Sequence, residues 1–216
     1  MLRDSEPHGL LRIDAPGLLT RTFLLPALPD FLARYPRLQI HFGQGDRLVD
    51  LVREGVDCAI RVGEPADSGL ILRRLGRLRE VTVASPDYLA RHGVPRSLED
   101  LSDHVMVGFL SSRSGQMLPL EFTVDGAMRE IHLPMRVSAN HSDTVADLVR
   151  RGFGLAQAPR YRFAAWLASG ALVEVLPHCP PSPTMLCALY PPARDLAPRL
   201  RAFIDFAVAT FMRAEL

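Results

Sequence analysis

Residues 48–63 read LVDLVREGVDCAIRVG. An apolar face at helical spacing (Leu48, Leu51, Val52) runs into Glu54-Gly55, and an apolar run, Val56 to Val62, begins directly after it. The pattern predicts a helix capped at its start by Asp46 and closed by Gly55, which takes a left-handed conformation without a Cβ clash. The run that follows has little polar alternation, so it is expected to be a strand covered on both faces. That strand ends on Arg61-Val62-Gly63. An arginine where a buried strand stops marks the rim of a ligand crevice.

The same helix-to-strand phrase recurs. Asp50-Leu51-Val52-Arg53-Glu54-Gly55 and Asp147-Leu148-Val149-Arg150-Arg151-Gly152 both read DLVR-x-G, and each precedes an apolar stretch. The spacing is too long for a solenoid. Two similar lobes explain it; so does the general preference for glycine after a helix.

Working outward, Leu10 to Ala15 is a short strand broken by Pro16-Gly17, and Leu18 to Tyr35 is helical with Pro26 and Pro29 near a first turn or a kink. Leu38 to Phe42 reads as a strand, and Leu70 to Ala84 as two strand pieces joined at Gly76. Ser85-Pro86 opens a helix that Gly93 closes. Ser97, with Asp100 three residues on, caps a further turn. Val105 to Phe109 is strand-like. An antiparallel meander is expected over Leu120 to Val124 and Ile131 to Leu133. Met135 to Ala139 leads into a helix capped by Ser142 or Asp143 and ended by Gly152. Leu155 to Ala158, Leu172 to Val175 and Met185 to Tyr190 are strands, Tyr161 to Ser169 a helix, and Leu196 to Met212 a long amphipathic helix. Alternating strands and helices at these spacings imply an α/β fold with parallel sheets.

The 216 residues carry a formal net charge of +1 and 48% apolar residues. Near-neutrality argues against a dedicated nucleic-acid surface. The start MLRDSEPHG has no apolar core for a signal peptide, and no apolar run is long enough to span a bilayer, so a cytoplasmic setting without membrane contact is expected. All 25 cations are arginines. Lysine chemistry such as a Schiff base or a P-loop is therefore excluded. No G-x-S-x-G elbow and no zinc-type histidine spacing occurs. Neither catalysis, a metal nor a cofactor is expected. Cys58 reads as a core residue, and a redox role for Cys179 and Cys187 has no adjacent base to support it.

Ligands of open α/β sheets sit outside the carboxyl ends of the strands. The candidates there are Ala15, Pro16, Gly17, Arg61, Val62, Gly63, Phe109, Asn140, Ser142 and Pro159. Arg61 suits a carboxylate, or an ion pair with Glu64 or Asp57. Asn140 is either a ligand contact or a helix cap, and Ser142 is better suited to capping. Gly17 serves a tight turn or close ligand approach. Phe109 is core or stacking surface, and Trp166 is packing. Arg73, Arg74, Arg77 and Arg79 read as a solvated face.

The segments GLLRIDAP, LPALPDFLARYPRLQI, DRLVDLVREGVDCAIRVGEPADSGL, RRLGRLREVTVASPDYLARHGVP and ALYPPARDLAPRLRAFIDF resemble, in order and spacing, the effector-binding domain of LysR-type transcriptional regulators, from about Gly9 to Phe211. The resemblance implies two Rossmann-like lobes joined by two crossover segments, as in type 2 periplasmic binding proteins. Lobe I would be 9–84 plus 191–216, lobe II 85–190, and residues 1–8 a linker remnant. It also implies a small-molecule effector, carboxylate or aromatic, and a homodimer or tetramer. DNA would be reached only through a winged helix-turn-helix absent from these residues. A solute-binding protein of a transport system is the alternative.

Overall fold

The computed structural model describes residues 6–45, 50–64, 69–193 and 196–214. In chain order the elements are β1 (Gly9–Ala15), α1 (Gly17–Leu19), a π-helical turn (Thr20–Leu24), α2 (Leu25–Arg34), β2 (Leu38–Gln44), β3 (Cys58–Val62), β4 (Ile71–Leu78), β5 (Glu80–Ala84) and α3 (Pro86–His92). A 3-10 turn (Glu99–Asp103) follows, then β6 (Met106–Phe109), β7 (Leu120–Val124), β8 (Ala127–Ile131), β9 (Met135–Ala139) and α4 (Ser142–Arg150). The chain ends with β10 (Ala156–Pro159), α5 (Arg160–Ala168), β11 (Val173–Glu174), β12 (Thr184–Tyr190) and α6 (Pro198–Arg213). Two compact units result: Met1–Arg77 with Met185–Leu216, and Leu78–Thr184.

The first unit is built on one five-stranded sheet ordered β2-β1-β3-β12-β4. β1 runs parallel to β2 and β3, and β12 runs antiparallel to β3. Cys58, Ala59 and Ile60 are all buried, as the unalternating run predicts. On α6 the buried positions are Leu200, Phe203, Ile204, Ala207 and Phe211, a helical stripe. Phe203 meets Phe31 of α2 edge-on at 6.4 Å, and Phe206 stacks on Phe31 at 4.5 Å.

The helix after β1 accommodates its prolines by widening. Leu25 N–H donates to Thr20 O, an i→i−5 bond, immediately before Pro26. A proline ring collides with the carbonyl four residues back, and a wider turn relieves that collision.

In the stretch that opened the sequence reading, Asp46 and Leu48 lie outside the described residues. Residues 51–55 form hydrogen-bonded turns. Gly55 N–H donates to Val52 O (3.4 Å) and Val56 N–H to Leu51 O (2.8 Å), with Gly55 at φ +66°. The second DLVR-x-G closes the same way: Gly152 N–H to Val149 O (2.9 Å), Phe153 N–H to Leu148 O (3.3 Å), and Gly152 at φ +81°. This nested pair of bonds satisfies the last carbonyls of a helical turn, and its left-handed residue favours glycine. The repeat is thus a repeat of geometry as well as of letters.

The second unit centres on antiparallel β10-β5-β11 and parallel β6-β9. Leu155 joins them: it bridges Met106 in parallel, and Leu155 N–H donates to Val105 O at 2.9 Å. α4 and α5 pack apolar faces here, with Val145, Ala146, Val149 and Phe163 buried together. At α3, the Tyr88 hydroxyl accepts from Val105 N–H (2.9 Å) and lies 3.1 Å from His104 Nδ1, which occupies the buried polar position. Gln157 Nε2 donates to Thr82 Oγ1 (2.8 Å) and Glu121 O (2.7 Å), while its Oε1 accepts from Glu121 N–H (2.7 Å). One side-chain amide thereby ties β7 to β10 and β5.

Ser85 caps α3 as expected, accepting from Tyr88 N–H at 3.2 Å. Ser85→Ala is expected to cost about 1 kcal/mol of unfolding free energy in a urea titration, the usual loss for an N-cap hydroxyl. Asp100 accepts from Arg96 N–H (2.8 Å) and Ser97 N–H (3.1 Å), which fixes the 3-10 turn.

Three expectations change. Gly76 lies inside β4, and the break between the strands falls at Arg79. The partner of β7 is Ala127–Ile131, because Asp125 (φ 52°) and Gly126 (φ 76°) make a two-residue hairpin turn of the type that needs two left-handed residues. The cap residue of α4 is His141, without a side-chain cap bond, in place of Ser142 or Asp143. The two compact units divide after Arg77 and after Thr184. β5 pairs with β10 and β11 of the second unit, and β12 pairs with β3 of the first.

Candidate ligand-binding rims

In each unit, the carboxyl ends of parallel strands share one rim. On the first unit, β1 ends at Ala15 and β3 at Val62. Ala15 and Pro16 are buried, and Gly17 begins the helix. Pro16 O accepts both the Thr20 amide (2.9 Å) and the Thr20 hydroxyl (3.0 Å). A Cβ on Gly17 would lie 2.9 Å from Gln44 Oε1, so glycine lets the helix start approach the end of β2. Gly63 turns the chain at φ +95°, its N–H held by Met185 O at 2.8 Å. Candidates Ala15, Pro16, Gly17, Arg61, Val62 and Gly63 therefore lie on neighbouring strand ends.

Arg61 is engaged within its own unit. Its Nη2 is 2.7 Å from Asp14 Oδ1, and its Nη1 donates to Ile60 O (2.8 Å) and Asp14 O (3.3 Å). The two side chains are only 11% and 13% exposed. Asp57, one of the partners expected for Arg61, instead accepts from Arg12 N–H (2.8 Å) and faces Arg199 (3.4 Å). Gly43 stands opposite Asp14 in the β1–β2 register, and a Cβ there would sit 2.8 Å from Asp14 Oδ2. A side chain at position 43 would displace the carboxylate.

On the second unit, Phe109 ends β6 beside Ala139 of β9, with Leu110 N–H bonded to Ala139 O at 2.9 Å. Phe109 is partly buried against the α4–α5 core. Asn140 is exposed and Ser142 half-buried at the start of α4. Pro159 is buried and occupies the N-cap position of α5. Candidates Phe109, Asn140, Ser142 and Pro159 thus gather where α4 and α5 begin. Arg162 of α5 makes a short hydrogen-bonded ion pair with Asp143 of α4, and its side chain is 6% exposed against 44% for the aspartate. Asp14, Gly43, Gln44 and Arg162 were not singled out from the sequence, and Asp143 only as a possible cap of its helix. Only the aspartate in the first turn of a predicted helix carried a local signal.

Opposite Pro159 in the strand register stands Glu80. Burial pushes the Glu80 carboxyl up to about 7, although the Thr184 side chain and Arg162 favour its charged form. The folded state thus keeps a proton that the unfolded chain releases near 4.5. This stabilisation is complete below about pH 4.5 and is lost as pH rises through about 7. Melting temperature measured across this window should fall with rising pH more steeply in the wild type than in Glu80→Gln.

Among the described residues no three His, Cys, Asp or Glu side chains form a metal-binding group. All three cysteines are free, and burial pushes Cys58 up to about 12 and Cys187 up to about 11. No helix among the described residues is long and apolar enough to cross a membrane.

Comparison with known proteins follows the same outline. The family described as LysR substrate binding domain matches residues 4–212. An uncharacterised HTH-type transcriptional regulator of Escherichia coli, YhjC, is 34% identical over 92% of this chain and 66% of its own length. The HTH-type transcriptional repressor PA14_22550 of Pseudomonas aeruginosa is 31% identical over 96% and 65%. The chain therefore spans about two thirds of these curated relatives. Among solved structures, the regulatory domain of CrgA from Neisseria meningitidis is similar with a TM-score of 0.78 at 29% identity, covering 94% of this chain and 98% of that one. The effector domain of AmpR from Pseudomonas aeruginosa gives 0.76 at 25%, covering 94% and 96%.

Proposed function

The chain belongs to the LysR substrate binding domain family, and on that premise we propose that it senses a small effector for a transcriptional regulator. The observation that carries this reading is the paired construction of the rims. In each unit the parallel strands end together and a helix starts from the same rim: α1 after β1 in the first, α4 after β9 and α5 after β10 in the second. The backbone N–H groups that open a helix have no partner within that helix and suit a ligand placed there; at α5 the Arg160 N–H is instead taken by Arg79 O at 2.8 Å.

A ligand that prefers one arrangement of the chain shifts its population toward that arrangement. In the whole protein, a homodimer or tetramer in the cytoplasm would pass the shift to winged helix-turn-helix domains preceding these residues. The relatives are helix-turn-helix regulators of which this chain matches about two thirds, which favours this reading over a transport protein. The chain acts by binding, without catalysis.

The test is a thermal-shift screen against a metabolite panel. A stabilising ligand at 100 times its Kd adds about 2.7 kcal/mol to the folded state. A true effector should lose much of that shift in Asn140→Ala, whose exposed side chain leaves the fold intact. A panel without any hit, or hits indifferent to both Asn140→Ala and Gly17→Ser, would refute the assignment.

A further inference from the structure

The second unit encloses a tyrosine and a histidine that the ligand-sensing reading does not use. Tyr88 is 1% exposed and His104 3%. The Tyr88 hydroxyl accepts from Val105 N–H at 2.9 Å, so its own single proton must go to another acceptor. Two are in reach, His104 Nδ1 at 3.1 Å and Val105 O at 3.4 Å. Val105 O already takes the Leu155 N–H at 2.9 Å. The shorter bond takes the proton, which makes His104 a neutral ring accepting at Nδ1.

A proton added to His104 reverses that bond. Nδ1 becomes a donor, and the Tyr88 oxygen then receives two N–H groups. Its hydrogen is left with Val105 O, at the outer limit of hydrogen-bond distance and shared with Leu155. The new charge is also enclosed. Burial is the largest influence on His104, followed by His92 of α3, whose ring lies 6.4 Å away, and both hold the ring below its ordinary value of 6.5. Asp103 and Asp100, from its own turn, oppose this. Asp100 is engaged by the Arg96 and Ser97 N–H groups. Arg91, also on α3, acts on Tyr88 and donates to Gly152 O at 3.0 Å. The residues leading into β6 and β10 present backbone groups to the pair, those of Val105 and Leu155.

We infer that Tyr88 and His104 form a proton-operated latch: with His104 neutral it holds α3 against the junction where β6 and the start of β10 meet, and protonation in mild acid releases it. Those strands run on to Phe109 and Pro159 at the second rim, so the framework of that rim loosens as the medium acidifies. A ring held below its ordinary value contributes stability that is complete above about pH 6.5 and is lost as pH falls through the folded value below it. The latch does not depend on what the rims bind.

Overall melting also carries the opposite trend from Glu80, so the test is local. Amide hydrogen exchange of Val105 and Leu155, corrected for its intrinsic pH dependence, is followed from about pH 7 to about pH 5. Protection at both amides is expected to fall by at least about threefold in the wild type, with the same midpoint as the His104 ring signals in an NMR titration. Val175 N–H, bonded to Thr82 O in the same unit, should stay level. His104→Asn keeps an acceptor near the Nδ1 position and cannot take up the charge, so its protection should stay level at all three amides. His92 is exposed, and His92→Gln removes its positive charge, which should move the wild-type midpoint to higher pH. If His104→Asn fails to fold, His92→Gln carries the test. Level protection in the wild type overturns the latch, and so does an equal fall in His104→Asn or a midpoint that His92→Gln leaves in place. A fall that Val175 shares equally is general acid unfolding and overturns it as well.

Discussion

Gly154→Ala is expected to destabilise the second unit by at least about 3 kcal/mol, at the severe end for one added methyl group. Two effects coincide at this position. The backbone sits at φ +150°, where L side chains are strained. A Cβ there would also lie 2.6 Å from Val105 O and 3.0 Å from Met106 C. Those are backbone atoms, and they are pinned: Leu155 N–H bonds to Val105 O at 2.9 Å, and Met106 N–H bonds to Pro134 O at 2.9 Å. The clash can be relieved only by breaking the junction between β6 and the start of β10. Gly170→Ala is the control. Its φ of +74° is also left-handed, but nothing lies within 4 Å of its Cβ, so only the conformational cost of about 1 kcal/mol remains. Urea unfolding of both variants measures the difference. A loss below about 1 kcal/mol for Gly154→Ala would mean that the junction yields.

Phe203→Ala should cost the first unit about 3–5 kcal/mol, the range for deleting a fully buried aromatic ring. Phe203 is 0% exposed on α6 and sits 5.9 Å from Phe206 and 6.4 Å from Phe31 between ring centroids. Its removal takes away transfer free energy and leaves a cavity lined by rings that cannot collapse without moving α2. Met212→Ala on the same helix is the contrast. That side chain is 77% exposed, and its loss should fall within about 0.5 kcal/mol. Equal effects at the two positions would show that α6 does not anchor the unit through its apolar stripe.

Local patterns were legible wherever the deciding interaction spans a few residues. The Ser85 cap, the glycine closures at Gly55 and Gly152, and the buried stripe of α6 all follow from spacing alone. The β7–β8 hairpin was misplaced although Asp125-Gly126 is itself a turn signal, because the exposed residues of β8 lack an apolar alternation. The break at Arg79 was hidden by Gly76, which sits in a strand here. Rim positions were readable as strand ends and helix starts. What fills them was less so. The partner of Arg61 lies 47 residues away, and nothing around Asp14 announces it. Arg162 and Asp143 are brought together by two helices, 19 residues apart in sequence.

The order of the first sheet bears on how the protein is made. β12 lies between β3 and β4, yet it is the last strand among the described residues, and α6 follows it. On the ribosome, β4 therefore waits without its neighbour while the whole intervening unit emerges. That unit, Leu78–Thr184, is contiguous and has its full set of strands before the earlier residues have theirs. Translation thus reverses the usual amino-terminal-first sequence of maturation, and a nascent chain whose residues up to Thr184, and no further, had cleared the ribosome would carry a finished middle and an unfinished beginning.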